Sequence, residues 1–175
     1  ERFDNVKDKL INRGFQNIRF HCCASPSLFC VDNNEYDLVR VGMALYGYVE
    51  LPTKIDFPNL KPILSLWARK ISTRKINQLD RVGYGGVFVA DKDMEISTYD
   101  IGYGDGFLRL DENKKSTIQD KRNILGRVSM NNLAVEGNDE KICIFDDVKE
   151  LAKIHNTIPY EILCRIHPSI KKRII

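Results

Sequence analysis

Three tyrosines of this chain sit against glycines. They are Tyr46 in Leu45-Tyr46-Gly47, Tyr84 in Val82-Gly83-Tyr84-Gly85-Gly86, and Tyr103 in Ile101-Gly102-Tyr103-Gly104-Asp105-Gly106. A phenol can serve as a general acid or base when nearby cations lower its pKa. Flanking glycines let backbone and ring come close to a ligand. The same pattern also suits a tight turn covered by its own aromatic ring. Two such motifs lie within twenty residues, and composition leaves both readings open. A second cluster is His21-Cys22-Cys23-Ala24-Ser25, at the end of a strand-like run. In parallel α/β sheets, binding sites gather at the carboxyl ends of strands. Ser25 and the amides around it suit a phosphate, or Ser25 simply caps a short helix begun by Pro26. A third is Val39-Arg40-Val41-Gly42-Met43. An arginine in an apolar run needs an acceptor. That acceptor is either Asp37 or a ligand heteroatom, with the Gly42 and Met43 amides facing a phosphate.

The elements that must position these residues follow from the hydrophobic pattern. Residues 1–13 place Phe3, Val6, Leu10 and Ile11 on one helical face, and Arg13-Gly14 is a stop signal. Residues 17–23 alternate like a strand, and residues 37–48 are apolar and punctuated by glycine. This opening third has an α/β rhythm. Pro52, Pro58 and Pro62 then mark a linker over 50–62. Beyond it, strands are expected at 63–76, 86–90, 94–101, 124–136 and 141–145, with one short helix over 147–155 capped by Asp146 or Asp147. Residues 157–166 are apolar again. About 50 residues are too few for an α/β domain with both sheet faces covered. The chain is therefore expected to be part of a longer protein, and its first residue is Glu1 rather than Met.

Composition narrows the function further. The 175 residues are 43% hydrophobic and 29% charged, enough apolar material for a real core. The net charge of +3 is too even for a dedicated nucleic-acid binder. No run approaches the ~20 apolar residues of a membrane span, and no secretory leader is visible. The five cysteines form no C-x-x-C pair, and the three histidines are scattered, so no metal is expected. Free thiols in a reducing cytosol are expected, with Cys143 and Cys164 as small core residues.

Taken in order, seven motifs resemble bacterial alanine racemases, the fold type III pyridoxal-phosphate enzymes. They are His-Cys-x-x-Ser, Asp-x-Val-Arg-x-Gly-x-Ala-Leu-Tyr-Gly, Leu-Lys-Pro-x-x-Ser-Leu, Val-Gly-Tyr-Gly, Ile-Gly-Tyr-x-Asp-Gly, Gly-Arg-x-x-Met and Thr-Ile-x-Tyr-Glu-Ile-Leu-Cys. The likeness runs from residue 18 to about 166. It implies an α/β barrel remnant, the last strand and helices of a TIM-type barrel, over 1–57. A mostly antiparallel all-β C-terminal domain would follow over 58–175. It also implies pyridoxal 5'-phosphate as cofactor, alanine as the small-molecule substrate, and a cytoplasmic homodimer that supplies D-alanine for peptidoglycan. Neither nucleic acid nor membrane is an implied partner.

By the same resemblance, Tyr84 matches the catalytic tyrosine that exchanges the Cα proton on the L-alanine face, reaching into the partner subunit. Arg40 matches the donor to the cofactor's pyridine nitrogen, and His21 the histidine that holds it. Ser25, the Gly42 and Met43 amides and Tyr160 match the phosphate clamp. Met130 matches the residue whose backbone meets the substrate carboxylate across the dimer. Tyr103, Arg109 and Arg127 match the lining of the substrate entrance. An arginine opposite the pyridine nitrogen keeps its proton, which weakens the electron sink and disfavours side reactions. Racemisation needs bases on both faces of Cα.

The family's other base is the lysine that carries the cofactor as a Schiff base. No segment here matches it, nor the barrel arginine on the substrate carboxylate, nor the histidine that contacts the tyrosine. Ala24 stands where Asn is usual, Asn131 where Asp is common, and Gly104 where Ala is usual. The chain alone is expected to be inactive. A racemase for other amino acids, such as serine, and a non-catalytic β-rich binding module are the alternatives. The module predicts that Tyr84→Phe leaves racemisation intact.

Overall fold

A computed structural model of the chain describes residues 2–30, 36–51, 56–109 and 116–174. They form two compact units, Glu1–Ile63 and Leu64–Ile175. The 52–55 part of the expected linker lies outside the described residues.

The first unit opens with α1 (Arg2–Asn12), where the apolar periodicity places it. Gly14 ends it at φ 83°. Its Phe3 ring packs at 5.6 Å from the Tyr36 ring and 6.3 Å from that of Phe20. The Tyr36 hydroxyl donates to Asp4 (2.7 Å). No residue of α1 is buried, so its apolar stripe, Val6 and Ile11 included, stays open. The strand expected at 17–23 is not one. A single parallel bridge joins His21 to Leu38, and the Phe20 carbonyl takes the amides of Asp37 and Leu38. Alternation marks a strand only where a neighbour completes the ladder, and here the pairing spans one bridge. Two short 3-10 helices follow, Ser27–Phe29 and Met43–Tyr46.

The second unit is built on an antiparallel four-stranded sheet in the order β5-β4-β1-β6. Its strands are β1 (Leu66–Ile76), β4 (Met94–Tyr99), β5 (Leu133–Glu136) and β6 (Lys141–Phe145). β1 is long enough to serve two partners, β6 along its first half and β4 along its second. Irregularities at Leu66/Trp67 and Lys70/Ser72 bend it, as bulges do. A separate ribbon pairs β2 (Arg81–Val82) with β3 (Phe88–Val89), and the 3-10 turn Tyr84–Gly86 lies between them. The strand expected at 86–90 is thus two residues long. That at 124–136 is reduced to β5 and a bridge from Ile124 to Val135. Arg122 pins the sheet edge by pairing with Asp120 (2.6 Å) and Asp139 (2.7 Å).

The core holds Ile96, Tyr99, Leu133, Val135, Ile142, Ile144 and Phe145. Helix α2 (Val148–Ile154) closes on it with Val148, Leu151 and Ala152, the i, i+3, i+4 face. Asp147 caps α2 by accepting the Lys149 amide (2.9 Å). The apolar run at 157–166 is a third helix, α3 (Pro159–Arg165), begun by proline at its first turn. The mostly antiparallel sheet implied by the resemblance is present, and α3 adds a second helix to the one expected over 147–155. No helix of the described residues is long and apolar enough to cross a membrane.

The cysteines also sort differently from expectation. Cys164 is exposed and Cys143 half-buried, while Cys23 is buried. α3 buries Ile162 and turns Cys164 to solvent. All five are free thiols. Burial pushes the Cys143 thiol up to about 11, and also raises that of Cys23. Alkylation requires the thiolate. Alkylation of the folded chain near neutral pH is therefore expected to label Cys22, Cys30 and Cys164 and to spare Cys23 and Cys143, read by peptide mass.

Candidate functional site

In the first unit, Ser25 gathers the polar groups. It is 4% exposed, and its Oγ accepts the amides of Gly42 (3.0 Å) and Ala44 (3.4 Å). Ser25 therefore does not cap the helix after Pro26. Its hydroxyl instead holds the start of the Met43–Tyr46 helix, which is sequentially distant but adjacent in the fold. The Ala44 amide is a partner that motif reading missed. Met43 is buried, and its amide meets no acceptor among the described residues. An orphan amide at the start of a helix is satisfied by water or by a ligand, so this one is a candidate donor to a ligand. Space in front of Gly42 is open, with nothing within 4 Å of where a Cβ would stand. A cradle of one hydroxyl and one spare amide beside open space suits an anion.

Arg40 lies beside this cradle. Its own amide donates to the Cys23 carbonyl (2.8 Å), and its guanidinium donates to the Cys22 carbonyl (3.3 Å). The side chain is exposed rather than partly buried, and its acceptor is the Cys22 carbonyl. Asp37 is not its partner, because the Asp37 carboxylate accepts the Phe20 amide (2.8 Å). His21 sits one residue before the Cys22 carbonyl that Arg40 touches, and its side chain is exposed. Ser25→Ala in the full-length protein is expected to speed hydrogen exchange at the Gly42 amide. It should also cost about 1 kcal/mol on chemical unfolding.

In the second unit, one segment organises five of the candidate residues. Residues 126–130 carry Arg127 and Met130, and both Gly-Tyr loops dock on them. A Cβ on Gly83 would stand 3.1 Å from the Arg127 amide, and one on Gly85 would stand 3.4 Å from its guanidinium. The Tyr84 loop therefore rests on Gly126-Arg127. The Tyr103 amide donates to the Ser129 carbonyl (3.0 Å), and the Gly104 amide to the Met130 carbonyl (2.8 Å). The second loop is thereby pinned to Ser129-Met130. The Arg109 guanidinium lies 5.9 Å from the centre of the Tyr103 ring. Tyr84 is 67% exposed, and Tyr103 and Met130 are exposed as well. The Met130 amide has no acceptor among the described residues. Tyr160 stands exposed in the first turn of α3. Glycine thus serves both readings here: it makes the close loop contacts, and it leaves the phenols open.

Each unit thus carries its own candidate groups, an anion cradle beside an arginine in the first and open phenols with a spare amide in the second. Comparison with known proteins gives the family. The model for "Alanine racemase, C-terminal domain" matches residues 63–174, and that for "Alanine racemase, N-terminal domain" matches residues 1–50. The chain belongs to the alanine racemase family. An alanine racemase of a Nitratiruptor species is 44% identical over 170 residues, covering 95% of this chain and 49% of that protein. A Clostridium difficile alanine racemase solved with cycloserine has a TM-score of 0.79 at 25% identity, covering 94% of this chain and 48% of the other. One from Bartonella henselae, solved with covalently bound pyridoxal phosphate, has a TM-score of 0.68 at 25% identity, covering 92% and 48%. The chain spans about half the length of the relatives it matches.

Proposed function

We propose that this chain is the C-terminal part of a pyridoxal-phosphate-dependent alanine racemase, an isomerase that interconverts L- and D-alanine by proton transfer on both faces of Cα. On this reading residues 1–57 end the cofactor-binding barrel and residues 58–175 form the C-terminal domain. The enzyme is a cytoplasmic homodimer that supplies D-alanine for peptidoglycan. The chain is inactive alone, because nothing in it matches the cofactor lysine.

The residues present fit the cofactor. The buried Met43 amide without an acceptor, the Ser25 hydroxyl and the open space at Gly42 suit its phosphate. By the same resemblance, Tyr160 would be a further ligand of the phosphate, Arg40 would donate to the ring nitrogen, and His21 would steady Arg40. When bound, the cofactor supplies an electron sink for Cα. The chain's own part is to hold and to move a proton. Tyr84 takes or returns the Cα proton on the L face through its hydroxyl. The Met130 amide binds the substrate carboxylate, as backbone donors bind anions elsewhere. Tyr103, Arg109 and Arg127 line the approach, and the two arginine charges favour a carboxylate.

The observation that carries this reading is the shared support of both tyrosine loops by residues 126–130. It brings a candidate base, a candidate carboxylate donor and Arg127 to one segment. The test is an assay of the full-length protein with each enantiomer of alanine and of serine, with and without pyridoxal phosphate. Cofactor-dependent conversion of alanine in both directions is expected, and inactivity on every amino acid would overturn the proposal. Borohydride trapping on the isolated chain is expected to label no lysine.

A further inference from the structure

Asp105 belongs to the Tyr103 loop but reaches no ligand-facing position, and its contacts are all to backbone. Its carboxylate accepts the Gly102 amide (2.9 Å), and its own amide donates back to the Gly102 carbonyl (3.1 Å). The two bonds close the turn from 102 to 105 into a fixed ring. Its carbonyl accepts the His167 amide (2.9 Å), tying the turn to the segment after α3.

What that turn does is present two amides to one neighbour. Tyr103 and Gly104 donate to the Ser129 and Met130 carbonyls at 3.0 and 2.8 Å. A Cβ on Gly102 would fall 2.3 Å from the Ser129 carbonyl and 2.4 Å from that of Met130, so the backbones are in direct contact. On its other side, Ser129 closes a second turn. Its hydroxyl donates to the Asn132 carbonyl (2.9 Å) and accepts the Asn132 amide (3.0 Å). With both carbonyls occupied and the turn locked, the peptide planes at 129 and 130 cannot rotate. The Met130 amide is then left as a fixed outward donor with no acceptor among the described residues.

We infer that Asp105 is a positioning residue for substrate binding: it fixes the turn that holds the Met130 amide in place for a carboxylate. The inference rests on the proposed role of Met130. Asp105 itself touches neither substrate nor cofactor. It acts by removing the freedom of the donor, so its loss should weaken binding of an amino acid more than it slows the proton transfer.

The test uses the full-length protein with Asp105→Ala and Asp105→Asn. The amide of asparagine keeps an oxygen that can accept from Gly102, so it should rescue. Asp105→Ala is expected to raise the alanine KM about 10-fold, the equivalent of one lost hydrogen bond. kcat should fall by less, pyridoxal-phosphate affinity should stay within about twofold, and the Gly104 amide should exchange faster. Asp105→Asn is expected to restore most of the KM. An unchanged KM in Asp105→Ala overturns the inference. So does an equal loss in KM, kcat and cofactor affinity without rescue by asparagine, which would mark a merely structural role. Unchanged exchange at Gly104 also overturns it, whatever the activity. A wild-type protein inactive on alanine would instead remove the functional reading on which the inference rests, and the exchange readout separates the two failures.

Discussion

Tyr84→Phe in the full-length protein is expected to reduce alanine racemisation by about 100- to 10,000-fold, the usual weight of a positioned acid–base group. The substitution removes one oxygen and nothing else. The Tyr84 side chain is two-thirds exposed, and its hydroxyl has no hydrogen-bond partner among the described residues. The ring stays on the same turn, held by Gly83 and Gly85 against Arg127. The fold therefore loses no bond, and the thermal midpoint should stay within about a degree, since exposed substitutions away from packed features cost under ~0.5 kcal/mol. A large loss of rate with unchanged stability assigns the effect to chemistry. A binding module without catalysis predicts no such loss. The measurement is kcat/KM in both directions beside a thermal melt.

The second large effect separates two glycines. Gly106→Ala is expected to cost the second unit about 3 kcal/mol or more, from overpacking added to backbone strain. Gly106 sits at φ 96°, and a Cβ there would lie 1.9 Å from the Arg165 carbonyl. Neither backbone can yield without undocking the Tyr103 loop from the end of α3. Gly42→Ala meets nothing within 4 Å, so it should cost the fold far less than Gly106→Ala. The added methyl instead fills the open space at the anion cradle, and pyridoxal-phosphate affinity of the full-length protein should fall about 10-fold or more. Urea unfolding and cofactor titration on the two variants check this. If Gly42→Ala binds the cofactor as tightly as wild type, the cradle is not the phosphate site.

What the residues reveal before folding depends on how local the controlling interaction is. α1 and α2 were legible because spacing and capping lie within one element: Asp147 accepts the amide two residues on. The strand at 17–23 failed because alternation names a surface, not a partner, and only His21 finds one, in Leu38. Likewise a strand is expected over 124–136, yet only Leu133–Glu136 pairs continuously. The Gly-Tyr motifs at 84 and 103 announced tight turns, and both form 3-10 turns. That both rest on residues 126–130 was invisible, because the docking is made of backbone amides and carbonyls that carry no side-chain signature. Ser25 shows the same limit. Its residue type suggested a local cap, but the amide it holds, that of Gly42, lies seventeen residues later in the chain.

The central claim is that this chain supplies one of the two bases, Tyr84, on the L face of alanine. The most direct measurement is deuterium wash-in at Cα from D2O, followed separately from each enantiomer, in the full-length protein and its Tyr84→Phe variant. Exchange from L-alanine without conversion to D-alanine should collapse in the variant. Exchange from D-alanine, driven by a base outside this chain, should persist. Equal loss of exchange from both enantiomers, or undiminished exchange from L-alanine, would contradict the account.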